Sequence, residues 1–131
     1  MAATCLLLLA SYPVLLLGYV WIKVAQCDLP GGRNGPLDAY RHTLASAVVA
    51  YTLDAKVVEW VSGVMEDEKL ITHRMDIHNN RIGAKIGSEV KSLWDIEPTV
   101  ARRVSKGAMF ARDENQSMWL PESIWRDGNM W

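Results

Sequence analysis

The chain has 131 residues and a formal net charge of −1, with acidic and basic side chains interspersed along its length. That balance excludes a basic field for nucleic acid and an acidic binding tail. The two cysteines, Cys5 inside a hydrophobic stretch and Cys27 just after it, exclude a disulfide framework. Helix formers dominate and alternating β-branched runs are scarce, which predicts an all-α protein. Its N-terminal stretch leaves about 100 residues for a single folded domain.

Residues 1–26 read as a membrane anchor or signal segment. No charged side chain occurs from Met1 to Ile22, the length of a span of roughly 20 residues. Pro13 falls in its middle, where a spanning helix tolerates a kink. Tyr19 and Trp21 stand where an interfacial belt would be. Two other readings stay open. A cleaved signal is one, although no Lys or Arg precedes the apolar run. A lipoprotein signal is the other, carried by Val24-Ala25-Gln26-Cys27. The expectation is membrane attachment through residues 2–22, in a bacterial inner membrane. Lys23, Arg33 and Arg41 follow the span, whereas an export signal would reverse the orientation they imply, so the side of the domain stays open.

Residues 27–35, rich in Pro, Gly and Asn, form a linker. A helical domain over 36–131 follows, with four helices and an irregular Trp-rich tail. In the first helix, Gly35–Val49, Pro36 suits the opening turn and Asp38 lies near the positive end of the dipole. Asp38, His42 and Ser46 recur at i, i+4 and i+8 on one face, with Tyr40, Leu44, Ala47, Val48 and Tyr51 on the other. Asp54 is placed to cap a second helix over 55–66, whose Val57, Val58, Val61, Val64 and Met65 share a face flanked by Trp60. The run Glu66-Asp67-Glu68-Lys69 reads as a solvated helix end.

The third helical stretch, His73–Gly87, also divides into two faces. Met75, Ile82, Ile86, Val90 and Leu93 form the apolar one; His73, Asp76, Asn80, Gly83 and Gly87 line the other. Glycine inside a helix costs roughly 1 kcal/mol relative to alanine, so this pair predicts close approach of another backbone. The first helix offers a matching small surface at Ala45, Ser46 and Ala50. Packed there, His42 would face Asp76 and Asn80. Glu97-Pro98 opens a last helix with Val100, Val104 and Ala108 on a narrow apolar side. Trp119, Trp125 and Trp131 then recur at a spacing that suits neither helix nor strand. It predicts an extended tail laying its indoles on the helices, or exposed indoles that meet a partner or a membrane interface.

Phosphate loops, CxxC pairs, HExxH and GxSxG are all missing, so no cofactor can be named. The segments GPLDAYRHTLASA and MDIHNNRIGAKIG nevertheless resemble a group of small bacterial helical domains of unassigned function. That group is marked by GPxDAxRHxxxSA and MDxHNNxxGxxIG. The likeness runs from Gly35 to about Gly87, and it implies a shared site of Asp38, Arg41, His42, Asp76, His78, Asn79 and Asn80 without naming its chemistry.

Two functional expectations follow. In one, the residues form a buried or partly buried Asp/His/Asn network inside a membrane-tethered interaction or accessory module with a protein partner. In the other, the chain is a hydrolase of ester or amide bonds near a membrane or cell wall. His42 is then a general base oriented by Asp38 or Asp76, with Asn79 or Asn80 as oxyanion donors. A metal-assisted variant draws on His42, Asp76, Glu66 and either His73 or His78 as ligands.

Overall fold

The computed structural model describes residues 2–65 and 69–128, with side chains from residue 10 onward. The chain order is helix α1 (Ala2–Ala25), α2 (Pro36–Thr52), α3 (Ala55–Met65), α4 (Ile71–Glu89) and α5 (Ile96–Ser105), the last entered through a short 3₁₀ turn. Two-residue strands β1 (Ala108–Met109) and β2 (Met118–Trp119) then pair in parallel, followed by the single turn α6 (Glu122–Trp125). The all-α expectation holds. The four helices expected of the domain are α2 to α5, and the tail adds only the β1–β2 bridge and α6.

The centre of the molecule is the α2–α4 pair. A Cβ placed on Gly83 would lie 2.3 Å from the Thr43 carbonyl oxygen and 2.7 Å from the Ser46 Cβ. At Gly87 it would lie 2.2 Å from the Ala47 carbonyl oxygen and 2.8 Å from the Ala50 Cβ. No side chain fits at either position, so the two glycines let the backbones meet. Around that seam, Tyr40, Leu44, Ala47 and Val48 of α2 join Ile82 and Ile86 of α4 and Ile96, Val100 and Val104 of α5 in one buried cluster. The Tyr40 hydroxyl donates to Glu97 Oε1 at 2.9 Å, tying α2 to α5. Burial and that acceptor hold the Tyr40 phenol well above its ordinary pKa.

Helix α1 belongs to the same core. Val20 and Val24 are buried in the α2–α4–α5 cluster. The Tyr12 hydroxyl meets Thr52 Oγ1 at 2.6 Å near the end of α2, and Trp21 lies against Arg41 near its start. The described part of α1 therefore runs antiparallel along α2. The expected transmembrane helix finds no support here. Among the described residues, no helix is long and apolar enough to cross a membrane, and one side of α1 is already taken up by protein. Side chains 1–9 of the expected span, with Cys5, lie outside the described residues, as do Glu66 to Glu68 and Trp131.

Helix α3 departs from its expected packing. Asp54 does cap it, its Oδ1 accepting the Lys56 N–H at 2.8 Å. Of its apolar stripe, however, Val58 is buried whereas Val61, Val64 and Met65 are exposed, and Trp60 is 70% exposed. The helix meets α2 and α4 where Val58, flanked by Ala55, packs with Ala50 and Ala84, and Ser62 is its other buried residue.

The tail indoles settle on glycines. Trp119 covers Gly107, and Trp125 lies over Gly31 and Gly35, whose added Cβ atoms would fall 2.6 Å and 3.0 Å from its ring. The seam makes a sharp contrast in alanine tolerance. Gly83→Ala or Gly87→Ala lowers stability by about 1–3 kcal/mol through overpacking. Gly63→Ala in α3, with nothing within 4 Å of an added Cβ, raises it by up to about 1 kcal/mol from helix propensity. Urea unfolding of the three variants measures both effects.

Candidate functional site

The polar face of α2 begins in the loop before it. Asn34, in the left-handed region at φ 71°, donates its backbone N–H to Asp38 Oδ2 at 2.7 Å. Asp38 is thereby fixed in the first turn of α2 and is 2% exposed. Its other oxygen, Oδ1, forms an ion pair with Arg41 Nη2 at 2.5 Å. One turn on, His42 Nε2 lies 3.7 Å from Asp38 Oδ1. Across the seam it lies 3.3 Å from Asp76 Oδ1 of α4. The glycine-mediated approach brings those two groups within reach, because Asp76 stands two turns before Gly83 on the same face of α4.

Arg41 Nη2 is also 3.2 Å from His42 Nε2. A guanidinium can only donate, so this nitrogen accepts and the imidazole is neutral. Electrostatics agree with that state. Burial pushes the His42 pKa below its ordinary value; Asp38 and a hydrogen bond with Asn80 oppose it, while Arg41 and Arg33 reinforce it.

The run His78-Asn79-Asn80 is split among three directions, as neighbouring helical positions must be. Asn80 turns into the seam. Its Oδ1 accepts from Ser46 Oγ at 2.9 Å, and its Nδ2 donates to Ser62 Oγ at 3.0 Å, so one carboxamide joins α2, α3 and α4. Asn79, fully buried, grips the tail instead. Its Nδ2 donates to the Met118 carbonyl at 2.8 Å, and its Oδ1 accepts the Met118 N–H at 2.9 Å. His78 Nε2 donates to the Gln116 carbonyl oxygen at 2.8 Å.

The structure thus brings together Asp38, Arg41, His42, Asp76 and Asn80. Asn79 and His78 stand apart from them, against the tail. Asn79 has its carboxamide oxygen and nitrogen both engaged on the Met118 backbone. His78 is engaged by the tail and does not join the expected ligand set of His42, Asp76, His78 and Glu66, of which Glu66 lies outside the described residues. Asp38 takes that place: a carboxylate oxygen from each of Asp38 and Asp76 and a ring nitrogen of His42 all lie within 4.8 Å of one another. Sequence reasoning gave Asp38 only an orienting role, although its helical spacing to His42 was already visible. Ser62, the third contact of Asn80, carried no signal because it lies on a helix read for its apolar stripe.

A cavity of about 600 Å³ opens between α3 and α4, lined by Val58, Ser62, Ile77, Arg81, Ala84 and Lys85 among others. Ser62 is its contact with the polar network; His42 and Asn80 are not in its lining. A second, of about 710 Å³, lies between α4 and the tail, with Arg74, His78, Arg81 and Phe110 in its wall. Comparison with protein-family models, curated proteins and solved structures finds no match to this chain.

Asn79→Ala strands a backbone donor and acceptor at Met118 and costs about 2–4 kcal/mol; denaturant unfolding followed by far-UV circular dichroism and by tryptophan emission measures it. The pH dependence has a definite sign. As pH falls below about 6.5, the unfolded chain takes up the His42 proton before the folded chain does, so stability declines. In chelator-treated protein, melting temperatures between about pH 7.5 and 5 fall more steeply for the parent chain than for His42→Gln.

Proposed function

We propose that this chain is a small helical interaction module of accessory type, with the Asp/His/Asn cluster as the internal lock that joins its helices. The observation that carries this reading is the use of the α4 polar motif. Asn79, Asn80 and His78 all make hydrogen bonds within the chain, so the residues expected as oxyanion donors serve to hold its elements together. The α3–α4 cavity and the α4–tail cavity do not have His42 in their walls. The resemblance of the two motifs to bacterial domains of unassigned function is compatible with this role and assigns no chemistry to it.

The surfaces left for partners are apolar. Trp60, Val64 and Met65 of α3 are each about 70% exposed among the described residues, an apolar patch suited to a protein partner. On α1, Val14, Leu15, Leu17 and Ile22 are exposed on the side away from α2. That side suits peripheral attachment to a membrane surface, in place of the span first expected.

One observation favours a second reading, a metal-assisted hydrolase of ester or amide bonds: two carboxylates converge on the unprotonated nitrogen of His42. The two readings separate on the stability of Asn80→Ala, measured in chelator, and on the turnover of His42→Ala, measured with added zinc. A lock predicts that Asn80→Ala, which leaves Ser46 and Ser62 without their shared partner, loses about 1–3 kcal/mol. It also predicts that the parent chain hydrolyses a panel of chromogenic esters and amides no faster than His42→Ala. Turnover by the parent, abolished in a fully folded His42→Ala, would overturn the module reading. The attachment is tested by co-sedimentation of the full chain with anionic vesicles, where Leu15→Glu with Leu17→Glu lowers the bound fraction.

A further inference from the structure

We infer that Asp38, His42 and Asp76 form a binding site for a divalent transition cation of the zinc class, and that Arg41 occupies the seat of that cation when none is bound. The inference stands apart from the module reading, since such an ion would strengthen a lock as readily as it would serve a reaction.

Geometry carries it first. Metal–ligand bonds of about 2.0–2.2 Å in a tetrahedral array set neighbouring donor atoms roughly 3.3–3.6 Å apart. His42 Nε2 lies 3.3 Å from Asp76 Oδ1 and 3.7 Å from Asp38 Oδ1. All three atoms are on helices whose spacing is fixed by the glycine seam, so the set is rigid before any ion arrives. One imidazole with two carboxylates also leaves a fourth position for water.

Protonation carries it next. The Arg41 contact identifies Nε2 as an acceptor, the form a metal requires. A lone pair and two carboxylate oxygens that face one another repel unless a cation lies among them. In this structure that cation is the Arg41 guanidinium, with Nη2 at 2.5 Å from Asp38 Oδ1 and 3.2 Å from His42 Nε2. It brings one positive charge to the cluster, where a divalent ion brings two.

The surroundings complete the site. Outside the ligand set, the Asn80 carboxamide is held in the seam by Ser46 and Ser62, where a second layer of polar groups would steady a metal-bound imidazole. Arg41 has somewhere to go. Its side chain is 24% exposed, and its guanidinium carbon lies 5.7 Å from the centre of the Trp21 ring on α1, a face on which a displaced cation can rest.

The test is a titration of the full, chelator-stripped chain with zinc chloride, repeated with cobalt(II) to read coordination from its visible spectrum. The expected result is one ion per chain, with cobalt bands of four- or five-coordinate intensity. Asp76→Asn, Asp38→Asn and His42→Gln each weaken binding by about tenfold or more, whereas His78→Gln leaves it unchanged. Arg41→Ala tightens it, by about fivefold or more, the effect of one unit charge about 4 Å away even at the dielectric of water. That last variant gains affinity, so its result cannot be mistaken for unfolding. Absence of zinc binding, binding indifferent to Asp76→Asn in a protein with parental circular dichroism, or weaker binding in Arg41→Ala overturns the site. The Asn80→Ala stability measurement, made in chelator, is untouched by any of these outcomes.

Discussion

Backbone contact between α2 and α4 is the constraint from which the rest of the molecule follows. Two glycines four residues apart remove the side chains that would hold the helices at the usual 8–10 Å, and the carbonyls of Thr43 and Ala47 fill the space. At that separation a short side chain such as Asp76 can reach an imidazole on the opposite helix. A wider seam would place His42 and Asp76 beyond contact, and Asn80 could not bridge Ser46 on one helix and Ser62 on another. The cost of glycine in a helix interior is offset here by the polar and apolar contacts that the approach permits.

The polar motif of α4 divides its labour by angle. Because successive positions of a helix turn by about 100°, His78, Asn79 and Asn80 serve three neighbours from adjacent positions. The tail receives two of them and the seam one. This arrangement explains how a tail with so little regular structure is held: Asn79 supplies to the Met118 main chain the donor and acceptor that a neighbouring strand would otherwise provide. The β1–β2 bridge beside it is two residues long and needs that support.

Much of this was legible in the residues. Helical periodicity located α2 to α5, and the Gly83/Gly87 pair forecast both the close approach and the meeting of His42 with Asp76 and Asn80. Those inferences rest on local rules that tertiary context does not override. The failures have a common cause. Whether an apolar stripe is buried depends on what lies opposite, which periodicity does not contain, so the exposed face of α3 could not be distinguished from a core face. The same ambiguity attends the uncharged N-terminal run, which periodicity alone reads as a span, whereas Val20 and Val24 are buried in the protein core. Asn79 and His78 were grouped with Asn80 because they adjoin it in sequence, and only the course of the tail shows that they point elsewhere.

The tail also reaches back to the start of α2. The Trp125 indole N–H donates to the Leu120 carbonyl at 2.7 Å, the Leu120 N–H donates to the Asn34 carbonyl at 3.0 Å, and Asn34 in turn holds Asp38. Three hydrogen bonds in series therefore connect the last described turn of the chain to a carboxylate of the polar cluster. A protease that clipped the exposed turn at α6 would slacken the loop that seats Asp38 while sparing the helices themselves. Such trimming would act as a remote control on the cluster, delivered from the tail.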